Sequence, residues 1–240
     1  MAIDTRTCEK ITQRTLEMWT EKTENDDVFL ALTKGKERGH RMADFVDETT
    51  TALLKAHFVT RFQLGKGGKP RARSMGDVWL KSGRIFNPIN VKSGVSGSNG
   101  QPNLVSLKKV LRALLADQID SYYLLFVKFE LGETVSPKVL LVDLLDHLEW
   151  TTYDDGPGQM MLREQRFFET MEGGHCPTST PIVTKIDRLF EMLKDGNARL
   201  IQNRQRTIAT FENAIKDYKG KKVHVVNQSG LGFVDEPDKD

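Results

Sequence analysis

The sequence predicts an α/β fold: a mixed central β-sheet flanked by helices, with a helical C-terminal part. Three observations predict it. Two helical apolar stripes precede any extended run. A pair of short extended runs joined by a tight turn then leads, through a helical stretch, into two further apolar strands. Two long helical patterns close the chain. This order of helices, hairpin, helix, strands and helices builds a sheet with helices packed on its faces. At 240 residues and 38% hydrophobic content, the chain suits one domain over residues 1–240, large enough to bury its own core.

The elements follow in order. Residues 4–21 read as an amphipathic helix with Ile11, Leu16, Met18 and Trp19 on its apolar positions. Residues 41–58 form a second, where Met42, Phe45, Val46, Thr49 and Leu53 fall on one stripe. The basic loop GKGGKPRARS comes next. Residues 77–80 are a short strand, 81–84 a tight turn and 85–92 a second strand, which together make a hairpin. A small-residue loop leads to a helix over 104–116. Residues 121–131 and 138–144 are apolar strands, and LEWTTYDDGPGQMMLRE reads as two extended pieces around a Gly-Pro turn. Helices are expected at 181–194 and 198–218, broken at Asp195-Gly196, with a short edge strand at 221–226. The core of the domain lies at about 41–162 and the helical part at about 181–219.

Composition narrows the function classes. Cys8 and Cys176 stand far apart, with no zinc spacing, and read as free thiols in a reducing compartment. No stretch approaches the roughly 18 apolar residues of a membrane span, and the N-terminus lacks a signal-peptide apolar block. A cytoplasmic protein with no membrane partner is expected. The overall charge of +2 conceals an asymmetry: eleven Lys/Arg and one carboxylate, Asp77, lie between Arg61 and Arg112. That segment carries +10 and the remainder −8. Clustered positive charge is the footprint of a polyanion site, although a solvated basic face has the same composition.

Within the basic segment the hairpin sets Asp77 near Asn90-Val91-Lys92. Residues two apart on a strand share a face, so Asn90 and Lys92 point the same way. Phosphodiester hydrolysis needs an oxygen cage for a hard cation and a group that steadies the attacking hydroxide. The Asp77 carboxylate, the Asn90 amide oxygen and the Val91 carbonyl supply oxygens for Mg2+. Lys92 supplies a cation to orient water and offset phosphate charge. Plain strand residues on a polar face are the alternative.

The pattern GDVWL…FNPINVKSG resembles the PD-(D/E)xK nucleases, and type II restriction endonucleases in particular, over residues 48–159. Gly76 stands where the family name has proline, and Asn90 where its second acid lies. The resemblance implies a restriction-endonuclease-like fold and Mg2+-dependent, sequence-specific cleavage of double-stranded DNA. It implies Asp77 and Asn90 as metal ligands and Lys92 as the catalytic lysine. Glu48, on the helix before the sheet, is a further candidate acid, with solvent exposure as its alternative. The resemblance also leads us to expect a cognate DNA methyltransferase in the same system. A repair or structure-specific nuclease of this fold, and a non-cleaving DNA-binding protein with a decayed site, are the competing functions.

DNA contacts are expected from Lys66, Lys69, Arg71 and Arg73, which suit phosphates or the minor groove. Ser96, Ser98, Asn99, Gln101, Asn103 and Gln159 suit base edges. A flexible connector is the other reading of these loops. Cutting both strands at a palindrome calls for a two-fold homodimer, and the helices at 181–218 are the candidate interface. Binding should weaken steeply with salt, by a log–log slope of about −0.9 per phosphate contact. Neutralising Lys66, Lys69, Arg71 and Arg73 together should flatten that slope in a fluorescence-anisotropy titration. An unchanged slope would place the loop away from DNA.

Overall fold

The structure is a computed structural model and describes residues 3–34, 40–61, 74–96, 102–154, 156, 158–164, 167 and 180–227. Helix α1 (Thr5–Asn25) starts at Asp4, whose carboxylate accepts from the Thr7 amide. This satisfies one of the free N–H groups of the first turn. Its apolar face continues beyond residue 21, and Trp19 is fully buried. The short α2 (Asp27–Lys34) follows, an element absent from the sequence expectation, with Asp26 accepting from the Phe29 amide. Helix α3 (His40–His57) matches the second predicted stripe.

Five strands make the central sheet: β1 (Thr60–Arg61), β2 (Val78–Ser82), β3 (Ile85–Val95), β5 (Tyr123–Leu131) and β6 (Val135–Asp143), in the order β1-β2-β3-β5-β6. Strands β2 and β3 form the expected hairpin, and Gly83 supplies the positive φ its turn requires. The sheet is mixed, since β3 and β5 run parallel while the other neighbours are antiparallel. The connection between β3 and β5 carries β4 (Asn103–Ser106) and α4 (Leu107–Leu115). Strand β4 joins β7 (Thr151–Asp154) and β8 (Gln159–Leu162) in a second sheet ordered β4-β8-β7.

The two faces of the central sheet bury separate cores. Val78, Leu80, Ile89, Val91, Tyr123 and Leu125 pack with Ile11 of α1 and Leu54 of α3. On the other face, Trp79, Leu124, Phe126 and Val142 meet α4, the small sheet and Leu189. A third cluster caps the β5–β6 end, where Trp19, Phe29, Phe45 and Phe129 interlock at ring separations of 4.9–6.3 Å. Asn87 ties β3 to the approach of β5: its oxygen accepts from the Asp120 and Ser121 amides, each at 3.1 Å.

Three expectations are corrected. Residues 104–106 are strand, not helix, because Leu104 and Val105 are buried in β4, which pairs with β8. The C-terminal helices are one, α5 (Ile182–Asn227). Gly196 takes no left-handed φ, so the conformation that ends a helix at glycine is not adopted. Residues 221–226 continue α5 and form no edge strand. The chain divides into two compact units, residues 1–196 and 197–240, so the first turns of α5 belong to the first unit and the rest to the second. Among the described residues, no helix is long and apolar enough to cross a membrane.

A buried ion cluster fastens the start of α5. Lys185 is fully buried and donates to Asp143 Oδ2 at 2.7 Å, with Asp146 Oδ1 at 3.6 Å. Asp143 also accepts from the Tyr122 and Leu145 amides. Removing one member of such a cluster leaves buried charge uncompensated. Lys185→Met should therefore cost roughly 3–5 kcal/mol in equilibrium urea unfolding. A loss below about 1 kcal/mol, the range of exposed pairs, would show that the cluster is open to water.

Candidate active site

Strand β3 outruns β2. Their pairing ends at Val78↔Ile89, whereas β3 stays paired with β5 to Val95. Past Ile89, among the described residues, one edge of β3 has no strand beside it, and its backbone polar groups need other partners. Asp77, the residue before β2, donates its own amide to the Ile89 carbonyl at 2.9 Å. Its carboxylate oxygen Oδ2 then accepts from the Val91 amide at 2.7 Å. The Val91 carbonyl accepts from Lys92 Nζ at 2.9 Å. Asp77, Val91 and Lys92, three of the residues singled out by sequence, thus meet at this edge.

The acid that joins them is Asp47 and not Glu48. Asp47 Oδ2 lies 3.4 Å from Lys92 Nζ, whereas Glu48 is exposed. Successive helical residues are 100° apart. The buried positions of α3, Met42, Val46, Thr50 and Leu54, set the inward face, and Asp47 lies on the flank that reaches β3. Burial pushes the Asp47 carboxyl up to about 7; Lys92 opposes this, while the charges of Asp77 and Asp44 add to it. Its Oδ1 atom is buried without a protein hydrogen-bond partner. Glu48 is exposed to solvent, one of the two readings its sequence allowed, and the acid one residue earlier on the flank of the same stripe is the one that reaches Lys92.

Asn90 and Lys92 leave the same face of β3 by alternation, but their ends separate. Asn90 is buried and its Nδ2 donates to the Leu104 carbonyl at 3.2 Å, linking β3 to β4. An aspartate there would set a carboxylate against a carbonyl, which accounts physically for an amide at this position. Asn90 Oδ1 is buried without a protein hydrogen-bond partner, and the Tyr122 hydroxyl, also buried, has only a weak contact with the Asn90 side chain and no well-formed hydrogen bond. Burial pushes the Tyr122 hydroxyl well above its ordinary value, and the charge of Asp77 adds to this while Asn90 opposes it. Tyr122 is fully buried beside the Asn90 side chain and feels the charge of Asp77. In sequence it reads only as part of an apolar strand.

Glu164 is a further acid that sequence reading missed. It is buried after β8, and its carboxylate packs on Gly94, where a β-carbon would collide with it. Gly94 shares the strand face of Lys92, two residues on. Nothing local in the sequence connects Glu164 to β3.

The remaining expected contacts fall elsewhere. Lys66, Lys69, Arg71, Arg73, Ser98, Asn99 and Gln101 lie outside the described residues. Ser96 is exposed just past β3, and its amide donates to the Phe129 carbonyl at 2.9 Å. Asn103 opens β4 and is exposed, while Gln159 opens β8 opposite Asp154 and Ser106. These two belong to the small sheet. A groove of about 890 Å³ lined by Thr20, Thr23, Thr33, Glu133 and Thr134 lies at the β5–β6 turn, apart from Asp77 and Lys92.

The oxygens present suit a hard divalent cation. Asp77 and Asp47 carry carboxylates, Val91 a carbonyl, and the Oδ1 atoms of Asp47 and Asn90 lack protein partners. Among the described residues, no three His, Cys, Asp or Glu side chains cluster for a metal, so such an ion would depend on backbone and amide oxygens and on water.

Asp47 gives a pH signature. Its folded value of about 7 exceeds the ordinary 3.8, so the folded state holds a proton that the unfolded state has released between those limits. Stability from this group is fully present below about 4 and is lost as pH rises through 7. In metal-free buffer, the melting temperature of Asp47→Asn relative to the parent should rise between pH 5 and 8. A difference that stays constant over this range would show that Asp47 does not titrate there.

Neither the protein-family models nor the curated proteins give a match to this chain.

Proposed function

We propose that this chain is a magnesium-dependent endonuclease for double-stranded DNA, of the sequence-specific, type II restriction kind. The observation that carries the reading is the meeting of Asp77, Asp47, the Val91 carbonyl and Lys92 at the open edge of β3. Two carboxylates, a carbonyl and an ammonium are the parts that phosphodiester hydrolysis requires. The resemblance to PD-(D/E)xK nucleases, and the basic segment in which three of the four lie, support the same reading.

In this reading Asp77, Asp47 and the Val91 carbonyl hold Mg2+, with the Asn90 amide oxygen as a further donor. Magnesium, when bound, stabilises charge on the phosphate and eases deprotonation of water. Lys92 offsets charge on the scissile phosphate and steadies the attacking water. Asp77 is kept in place by the Val91 amide, so its carboxylate is oriented before substrate arrives. Duplex DNA is the substrate, the basic loop is its phosphate grip, and a cognate methyltransferase protects host sites.

One observation favours a second reading, a DNA-binding protein that does not cut. Asn90 is committed to the Leu104 carbonyl, and the Lys92 ammonium rests on Val91 and Asp47. The position of the family's second acid therefore serves the packing of two sheets.

Digestion of plasmid DNA with Mg2+, followed by run-off sequencing, tests the proposal. Discrete bands are expected. Preference for branched or mismatched DNA would mark a repair nuclease, and binding without cutting would support the second reading. Asp77→Ala and Lys92→Ala should each lower the cleavage rate by at least about 100-fold, the scale of losing one charge-stabilising group, while DNA binding is retained. Near-parental cutting by either variant would overturn the assignment of the site.

A further inference from the structure

We propose that residues 201–218 of α5 pair with the same segment of a second copy of this chain as an antiparallel two-stranded coiled coil. The unit beginning at Asn197 is helical to Asn227, and residues 201–220 are all exposed. Over residues 201–220 its large apolar side chains are Ile201, Ile208, Phe211, Ile215 and Tyr218, between 51% and 65% exposed. Their spacing is that of a heptad. Ile201, Ile208 and Ile215 take the first core position, Phe211 and Tyr218 the second, and Arg204 fills the second position of the first heptad. A repeat of 3.5 residues keeps such a stripe facing one partner helix along its length. This refines the sequence expectation, because only the second part of the 181–218 stripe is available. Ile186, Leu189 and Leu193 pack into the core of the first unit.

The exposed area calls for a partner. Two aromatic side chains, at roughly 150–250 Å² each, and three smaller isoleucines, all about half-exposed, offer on the order of 400 Å² per copy. A monomer rarely exposes more than a few hundred Å² in one apolar patch. With the stems of flanking residues, the paired stripes approach the roughly 800 Å² per partner of a standard interface.

Arg204 argues for a second copy in antiparallel register. A parallel pair stacks Arg204 on Arg204 in the seam. An antiparallel pair centred between residues 209 and 210 sets Ile201 against Tyr218, Arg204 against Ile215, and Ile208 against Phe211. Four of the six layers are then wholly apolar. Glu212 of the second copy comes within one turn of Arg204 and faces Gln205. Within residues 201–218, Arg204 is the cation in the seam and Glu212 the acid that borders it, whereas Arg206 and Asp217 lie on the outer face. Lys219 falls opposite Ala198, and Lys216 lies on the outer face. The apolar layers of the segment match their own reverse, as a two-fold interface requires. The pairing does not depend on the chemistry at Asp77 and Lys92.

Sedimentation equilibrium on the full chain at micromolar concentration tests the proposal. The expected mass is twice 27.2 kDa, falling to the single-chain value for Ile208→Glu/Phe211→Glu, with Arg204→Leu remaining dimeric. Oxidative cross-linking in a Cys176→Ser background reads the orientation. Ile201→Cys/Tyr218→Cys should form a disulfide-linked dimer, and Ile201→Cys alone should not. A monomeric parent chain, or a dimer that survives the double glutamate variant, overturns the proposal. Cross-linking through Ile201→Cys alone overturns the antiparallel register.

Discussion

Strand β3 has eleven residues and its hairpin partner β2 has five, so the antiparallel ladder stops while the parallel ladder to β5 continues. This mismatch leaves a short length of backbone beside the Val91 peptide groups without a strand. An unmet backbone donor or acceptor is expensive inside a protein, and here side chains meet the need. Asp77 takes the Val91 amide and Lys92 takes the Val91 carbonyl. The charged cluster is thus a consequence of ladder geometry. A longer β2 would cover the Val91 edge with backbone and leave Asp77 and Lys92 without these roles.

The surrounding packing sets the electrical character of the cluster. Helix α3 is seated by Val46 and Leu54, which bury into two different cores, and this seating carries Asp47 to Lys92. Burial there, with the charge of Asp77 nearby, raises the Asp47 carboxyl to about 7 even though the Lys92 ammonium opposes it. On the other face, the Asn90 amide bridges β3 to β4 while Tyr122 is fully buried near it. Both sheets therefore constrain the site, the central one through its edge and the small one through the Leu104 carbonyl.

Helix α5 shows how one element serves two environments. Near its start, Lys185 is fully buried among the Asp143 and Asp146 carboxylates, and Leu189 joins the core. After Gly196 its apolar residues are exposed at heptad spacing. Amphipathic periodicity continues through both stretches, which is why a sequence reading takes them for similar helices. Burial distinguishes them.

Patterns of short range were legible in the sequence: the stripe of α3, the hairpin around Gly83, the apolar strands β5 and β6, and the grouping of Asp77 with Val91 and Lys92. Each rests on periodicity or on a turn within about twenty residues. Leu104-Val105-Ser106 read as helix because its partner β8 lies more than fifty residues away, and pairing overrides local preference. Asp47 was not legible because a helical stripe is broad compared with the 100° between neighbours, and only docking of α3 on β3 selects the residue, leaving Glu48 exposed. Tyr122 reaches Asn90, and Glu164 reaches Gly94, from segments far away in the chain. The sequence alone determined which strand carries the charged residues. The tertiary structure decided which side chains meet there, because strand ends, helix seating and burial are set by contacts between segments far apart in the chain.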